Sequence, residues 1–520
     1  MKTYLAVPIS AKTIETAAQQ METAATAGAE MLEVRLDYLQ RLNELAGRQM
    51  VAAARQTGLP VVATCRDERQ GGANPYPNQL RLEVLAAALE AGADFIDYEY
   101  DNFCQPASRQ CILEALSRRP SARLILSAHN FEGRFTDAAT LMSDIHAAHP
   151  TAVAKLAYQA GHINDCFEAF DLLHKTGGER IVLAMGQAGT ITRILAKKLG
   201  GFVAYASLAA ESATAPGQLT IEELKGLYRY DVVDGDTELF GVIGWPVAHS
   251  LSPAIHNAAF EQLRLNNLYL PLGVQPDDGA FSRFLDNALS RNWLDFRGFS
   301  ITIPHKQSAL EYVASRGGYV EPLAGRIGAV NTIVVGADGV LKAYNTDYAG
   351  ALNAITGALG VERTALKGLS TAVVGAGGVA RAVVAGLTDA GARVKIYNRT
   401  VERAHRLAEE FGCEFAPLAE LKNIRARLLI NCTSVGMHPQ TQATPVPPEA
   451  LNKDMVVFDT VYNPVETLLI KNARRRGGRT IDGLAMFVNQ AAAQFHLFTG
   501  KQPDTEAMMS TARGLLQVNM

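Results

Sequence analysis

In the stretch TAVAKLAY at 151–158, Lys155 stands alone among small and apolar residues. Burying an ammonium group is costly unless the charge is paired or the proton is given up. The strand period puts Val153, Lys155 and Ala157 on one face, and in a closed barrel that face is the interior. A desolvated lysine there loses proton affinity and becomes an amine nucleophile suited to imine formation with a ketone. The protonated imine then acts as an electron sink that acidifies the neighbouring C–H. On the outer face the same lysine would extend its stem to solvent and do no chemistry.

A second constellation lies in VVGAGGVARA at 373–382, where Gly375, Gly377 and Ala380 form a G-x-G-x-x-A turn between a strand-like and a helix-like run. Such a turn, here with Ala376 and Gly378, lets backbone N–H groups approach a pyrophosphate at a helix N-terminus. The next strand, ARVKIYNRT, ends in Asn398, Arg399 and Thr400, with Arg403 one turn on. An NAD site usually has an acidic residue at that strand end to accept from the ribose hydroxyls. Two arginines and two neutral donors suit a 2′-phosphate instead, so NADP(H) is the expected cofactor.

The elements that position these residues follow from pattern. Eight strand-like runs occupy the first 210 residues: YLAVPI (4–9), MLEVRL (31–36), VVATCR (61–66), FIDYEY (95–100), RLILSAH (123–129), AVAKLAY (152–158), RIVLAMG (180–186) and FVAYASL (202–208). Helix-like segments separate them, which is the pattern of a (β/α)8 TIM barrel, whose active site gathers at the strand C-termini. The strand ends EVRLD, CRDE, DYEY, SAHN and MGQAG carry such polar clusters. The expected organisation is an α/β chain with the barrel over 1–225, a linker over 226–237, a small mixed α/β domain over 238–350 and a Rossmann NADP domain over 351–485.

Composition excludes several classes. With 49 Lys+Arg against 52 Asp+Glu, the net charge of −3 draws the chain to neither nucleic acid nor an anionic membrane. The short RRRGGR at 474–479 reads as a solvated helix end. Six cysteines form no CxxC pair and no Cys/His cluster, so no metal is expected and a reducing compartment is. MKTYLAVPIS lacks the pattern of a signal peptide, and the apolar window around 368–387 is broken by Arg381 and rich in glycine, so a cytoplasmic location is expected.

From about 238 onward the chain resembles the shikimate dehydrogenase family over its full length. The motifs GWPVAHSLSPAIHN, SITIPHK, GAVNT, YNTD, VGAGG, YNRT, NCTSVGM, VYNP and GLAMFVNQAAAQF occur in order. The resemblance implies that 238–350 is the substrate domain, completed by C-terminal helices from about 486 to 520, and that Lys306 and Asp347 form the acid–base set that a ketone reduction requires. It implies that Ser250 and Ser252 meet a carboxylate, that Thr302, Asn331 and Asp347 bind ring hydroxyls, and that Tyr462 and Gln490 are further substrate positions. Thr433 joins the cofactor residues, and Gly483 and Met486 fall beside the nicotinamide. Tyr348 stands after the NTD aspartate where a small residue is common, and QAA replaces QGA. These departures blur shikimate against quinate, while both serines of SLS favour shikimate.

The first 220 residues resemble type I 3-dehydroquinate dehydratase through EVRLD, the arginine of TCR, SAHNF, VAKLA, MGQAGTITR and TAPGQ. The resemblance implies imine formation by Lys155, proton transfer by His129, carboxylate pairing by Arg193, and ring contacts from Glu33, Arg35, Arg66, Thr214 and Gln218. Thr214 replaces the usual serine and keeps its hydroxyl. Asn130 and Gln70 stand where acidic residues are common, so negative charge is missing near His129 and its pKa is expected to fall. The two resembled activities are consecutive, with 3-dehydroshikimate as product of the first and substrate of the second, which implies a fused enzyme similar to that of plants. The alternatives are a quinate dehydrogenase in the second half, or a silent ligand-sensing regulator, against which stand the four intact residues Lys155, His129, Lys306 and Asp347.

Overall fold

The structure, a computed structural model, describes residues 2–175, 178–212 and 214–518. The chain divides into two compact units, essentially residues 1–237 and 238–520. In the first, eight parallel strands run in the order β7-β6-β5-β4-β3-β2-β1-β8. They are β1 Tyr4–Ile9, β2 Met31–Arg35, β3 Val61–Thr64, β4 Phe95–Glu99, β5 Arg123–Asn130, β6 Val153–Gln159, β7 Arg180–Met185 and β8 Val203–Tyr205. At the seam, Phe202 N donates to Arg180 O at 2.8 Å. The expected (β/α)8 barrel is the fold.

Its interior is layered by the period of two. Met31, Val62, Phe95, Ile125, Val153 and Ile181 share one apolar cluster at the lower level. Two residues further along five of those strands come Glu33, Thr64, Asp97, Ser127 and Lys155, all buried. A polar layer thus sits on an apolar floor, and alternate positions along each strand produce it.

Residues 226–237, expected as a linker, group with the barrel. Tyr228, Tyr230 and Val233 are buried there, since two aromatics carry more apolar area than the polar appearance of the stretch suggests.

The second unit holds two sheets. The first is mixed, in the order β10-β9-β11-β13-β14-β12, from β9 Glu238–Gly244, β10 Asn267–Gly273, β11 Phe296–Ile301, β12 Tyr319–Val320, β13 Thr332–Val335 and β14 Leu341–Tyr344. The C-terminal helices Gly483–Thr499 and Thr505–Val518 pack on it, joining Val488, Phe495 and Met508 to Phe240, Phe260 and Tyr269 in one core. The second sheet is parallel, in the order β17-β16-β15-β18-β19-β20, from β15 Ser370–Val374, β16 Arg393–Asn398, β17 Glu414–Pro417, β18 Leu428–Asn431, β19 Val456–Asp459 and β20 Arg479–Ile481. The order reverses at β15, as in a Rossmann fold, and the crevice at that point is where such sheets bind ligands. Among the described residues no helix is long and apolar enough to cross a membrane.

Candidate active sites

At the strand C-termini of the barrel, Glu33, Arg35, Arg66, His129, Lys155, Arg193, Thr214 and Gln218 line one cavity. All eight sequence-derived residues converge there. Lys155 is 5% exposed, and its Nζ lies 2.8 Å from Asp97 Oδ2, 3.1 Å from Tyr205 Oη and 3.6 Å from Glu33 Oε1. Burial alone opposes the charge, but Asp97 and then Glu33 raise the Lys155 pKa above the ordinary lysine value. This corrects the expectation of a lowered pKa. Two carboxylates at close range, each pair worth on the order of 4 kcal/mol at an effective dielectric near 20, outweigh desolvation. The amine is an ammonium at rest and must lose a proton before it can attack.

Arg66 sits between Asp97, Glu99 and Ser127, at 2.8, 2.9 and 2.6 Å. Arg81 pairs with Glu99 from the other side. Lys155, Arg66 and Arg81 thus face Glu33, Asp97 and Glu99, and the network continues from Arg81 to Asp67 at 3.0 Å and from Asp67 to Arg69 at 2.8 Å; Arg35 is held bidentately by Asp37 at 2.9 and 2.8 Å. Arg66 was expected to hold the ligand ring; its guanidinium is engaged in bracing this network.

Arg193 differs from the other arginines. It is 1% exposed, it donates to Ala184 O at 2.9 Å, and its Nε has no partner. No carboxylate pairs with it among the described residues, and burial pushes its pKa down to about 10. A buried, unmatched guanidinium lining a cavity fits an anionic group of a ligand.

His129, at the end of β5, directs both its backbone N and its Nδ1 at Gln70 Oε1, at 3.0 and 3.1 Å. An amide oxygen that accepts both hydrogens fixes the tautomer and leaves Nε2 as the basic atom. Burial, followed by Arg66 and Lys155, lowers the pKa well below that of an ordinary histidine, so the ring is neutral. Of the two departures noted in the sequence, only Gln70 touches His129. Asn130 turns away, accepting from Glu132 N at 3.0 Å and donating to Arg134 O at 3.1 Å. Replacing Gln70 with glutamate puts a carboxylate against Nδ1 and stabilises the imidazolium. The base must be neutral to act, so a raised pKa is expected to move the acidic limb of the barrel's pH–rate profile up by ~1 pH unit. An unmoved limb in Gln70→Glu would show that His129 is not the titrating base.

In the second unit Ser250, Ser252, Thr302, Lys306, Asn331, Asp347, Tyr462, Gly483, Met486 and Gln490 line one cavity of about 210 Å³ between the two sheets. Lys306 opens the helix Lys306–Ser315 and its Nζ lies 2.5 Å from Asp347 Oδ2. Asp347 Oδ1 accepts from Asn331 Nδ2 at 2.9 Å. The Asn331 oxygen takes Thr346 N at 2.7 Å and Thr332 Oγ1 at 2.9 Å. With that oxygen saturated, the Asn331 amide can only turn its N–H groups towards Asp347.

The cofactor candidates lie at the C-terminal ends of β15, β16 and β18. Gly375 has φ +112°, and a Cβ there would come within 3.0 Å of the Thr433 side chain, so the turn requires glycine. A Cβ at Gly377 or Gly378 would meet nothing, leaving the backbone at the start of the helix Gly378–Asp389 open. Asn398 holds the β16 turn through Thr400 O at 2.9 Å. Arg399 and Arg403 are exposed and carry no ion pair among the described residues. Turn, open backbone and unpaired arginines together fit a dinucleotide bearing a 2′-phosphate.

Sequence reasoning missed Asp97 and Tyr205 beside Lys155, and Ser300 and Gln494 in the second cavity. Asp97 sits on the readable period of β4, two residues beyond Phe95. Gln494 lies one helical turn after Gln490 and bonds Asn331 O at 3.1 Å. A larger groove, lined by residues from Asp286 to Leu341, has Arg297 and Arg316 paired with Asp295 and Asp286. No group of three metal-ligating side chains occurs among the described residues.

Comparison with known proteins matches residues 5–234 to the type I 3-dehydroquinase family and residues 242–333 to the shikimate dehydrogenase substrate binding domain. Residues 360–459 match shikimate/quinate 5-dehydrogenase, and 483–513 the shikimate 5′-dehydrogenase C-terminal domain. The bifunctional 3-dehydroquinate dehydratase/shikimate dehydrogenase, chloroplastic, of Arabidopsis thaliana is 36% identical over 512 residues, covering 95% of this chain and 82% of that one. The shikimate dehydrogenase (NADP(+)) of Methanosarcina mazei is 43% identical over 290 residues, 54% of this chain and 99% of its own. A crystal structure of a shikimate dehydrogenase in complex with NADP+ is 37% identical with a TM-score of 0.50, covering 55% of this chain and 97% of that one. The identity spans both units and both cavities, and the chain belongs to the family of bifunctional 3-dehydroquinate dehydratase/shikimate dehydrogenases.

Proposed function

We infer that the two cavities catalyse consecutive steps: dehydration of 3-dehydroquinate to 3-dehydroshikimate in the barrel, and NADPH-dependent reduction of 3-dehydroshikimate to shikimate in the second unit. The observation that carries this reading is the buried Lys155, set in a charge-balanced network beside an unmatched Arg193, in the same chain as the Lys306–Asp347 pair.

In the barrel, Arg193 receives the substrate carboxylate, and Glu33, Arg35, Arg66, Thr214 and Gln218 surround the ring. Lys155, once deprotonated, adds to the C3 carbonyl, and loss of water leaves a protonated imine. His129 Nε2 removes a proton from C2, and the electron pair moves into the imine. The C1 hydroxyl then leaves as water, carrying the proton that His129 returns. Hydrolysis of the imine by one water frees the product and restores the amine.

In the second unit, Ser250 and Ser252 face the substrate carboxylate, while Thr302, Asn331, Tyr462 and Gln490 hold the ring. NADPH, when bound at Gly375–Gly378, Asn398–Thr400, Arg403, Thr433, Gly483 and Met486, supplies the hydride. Lys306 Nζ gives the carbonyl oxygen its proton, and Asp347 keeps that ammonium oriented. Removing both arginines (Arg399→Ala with Arg403→Ala) is expected to raise the KM for NADPH by about 10- to 100-fold, from the loss of charge-assisted contacts to the 2′-phosphate, while NADH kinetics stay unchanged. Equal effects on both cofactors would refute the assignment of these arginines.

Shikimate is preferred to quinate on the strength of Ser250 and Ser252. The ratio of kcat/KM for the two with NADP+ decides this, and a ratio favouring quinate overturns it. Six unpaired cysteines support a reducing compartment such as the cytoplasm.

A further inference from the structure

Tyr348 follows Asp347 in the first turn of the helix Thr346–Leu359, yet it does not line the substrate cavity. Its hydroxyl donates to Glu321 Oε1 at 2.6 Å. The other oxygen of Glu321 accepts from the backbone N of Asn345 at 3.1 Å. Asn345 is the N-cap of the same helix: its Oδ1 accepts from Asp347 N at 3.1 Å, and its Nδ2 donates to Ala329 O at 2.9 Å. The turn that presents Asp347 is thus fixed through Glu321, and Tyr348 fixes one side of Glu321.

The ring of Tyr348 faces the other way. It packs on the core of the Rossmann sheet, over Gly386 of the helix Gly378–Asp389. A Cβ at Gly386 would come 3.1 Å from Tyr348 Cβ and 3.3 Å from its Cδ2. Only the bare backbone of glycine admits the ring so close. The same helix begins at the glycine turn. One side chain therefore touches both the helix that carries the nucleotide turn and the hydrogen-bonded turn that carries Asp347.

We propose that Tyr348 is a positioning residue of the reductase: through Glu321 and Asn345 on one side and Gly386 on the other, it sets Asp347, and with it Lys306, relative to the nucleotide-binding helix. The inference rests on the reading of Lys306 and Asp347 as the reducing pair. The phenol–carboxylate contact gives the large residue that this chain carries beside the aspartate a structural role.

The test is a double-mutant cycle on 3-dehydroshikimate reduction. Tyr348→Phe keeps the ring on Gly386 and loses the bond to Glu321; Glu321→Leu removes both acceptors. Each is expected to lower kcat by about 10-fold, with the KM values for NADPH and 3-dehydroshikimate within about twofold of wild type, since an interaction that orients the reacting groups appears in kcat. The double variant is expected to lose no more than Glu321→Leu alone, because the two residues act as one unit. An active wild type whose Tyr348→Phe variant matches it in kcat, or losses that add in the double variant, overturns the inference alone. A wild type unable to reduce 3-dehydroshikimate overturns it together with the reading on which it rests.

Discussion

Lys155→Arg is expected to abolish dehydration of 3-dehydroquinate, lowering kcat by about 10⁴-fold or more, while reduction of 3-dehydroshikimate continues at the wild-type rate. Arginine is the informative replacement. Alanine or methionine would leave Asp97 and Glu33 buried against one cation fewer, and breaking a buried pair in that way costs about 3–5 kcal/mol in stability. Arginine keeps a positive charge in the network but has no nucleophilic amine, so chemistry is lost while folding is retained. Borohydride added during turnover should reduce the imine and leave a stable adduct on Lys155, read by peptide mass. An active arginine variant, or an adduct on another residue, would exclude Lys155 as the imine-forming amine.

The second large effect is expected at the other cavity. Lys306→Met and Asp347→Asn should each lower kcat for reduction by about 10²- to 10⁴-fold, the range of general acid–base catalysis, with dehydration unchanged. Asp347→Asn is the sharper variant. Position 347 accepts from both Lys306 Nζ and Asn331 Nδ2, and an amide can accept with its oxygen only, so one donor is left facing another. Because Asn331 is locked by Thr346 and Thr332, it cannot flip to relieve the conflict. Stopped reduction with unchanged NADPH binding is the expected signature. Loss confined to KM would place the pair in binding and not in proton transfer.

Much of this was legible because the barrel encodes depth by alternation. Lys155 was found by its place on β6, and the same period runs through Glu33 and Asp97. What alternation does not reveal is which residues face each other across the barrel. Asp97 lies 58 residues before Lys155, and its proximity reverses the direction of the lysine's pKa from the one that burial alone predicts. Arg66 was legible as a pocket residue but not as a brace, for the same reason. Gln70 and Asn130 looked equivalent in sequence. Only the folded loop brings Gln70 to His129 and turns Asn130 into a local turn of its own. The two-residue strand Tyr319–Val320 is too short to carry a period. The buried tyrosines of 226–237 lie in a segment whose charges and glycine made it read as polar. The glycine turn and the β16 arginines needed no such long-range knowledge, because strand, turn and helix are consecutive.

The most direct test of the central claim is to mix the chain with 3-dehydroquinate and NADPH and follow loss of NADPH absorbance, identifying the product. Steady oxidation ending in shikimate is the expected result, since the ring must be dehydrated in the barrel before the ketone can be reduced in the second unit. No oxidation with 3-dehydroquinate, and none when 3-dehydroshikimate is added, would contradict the account.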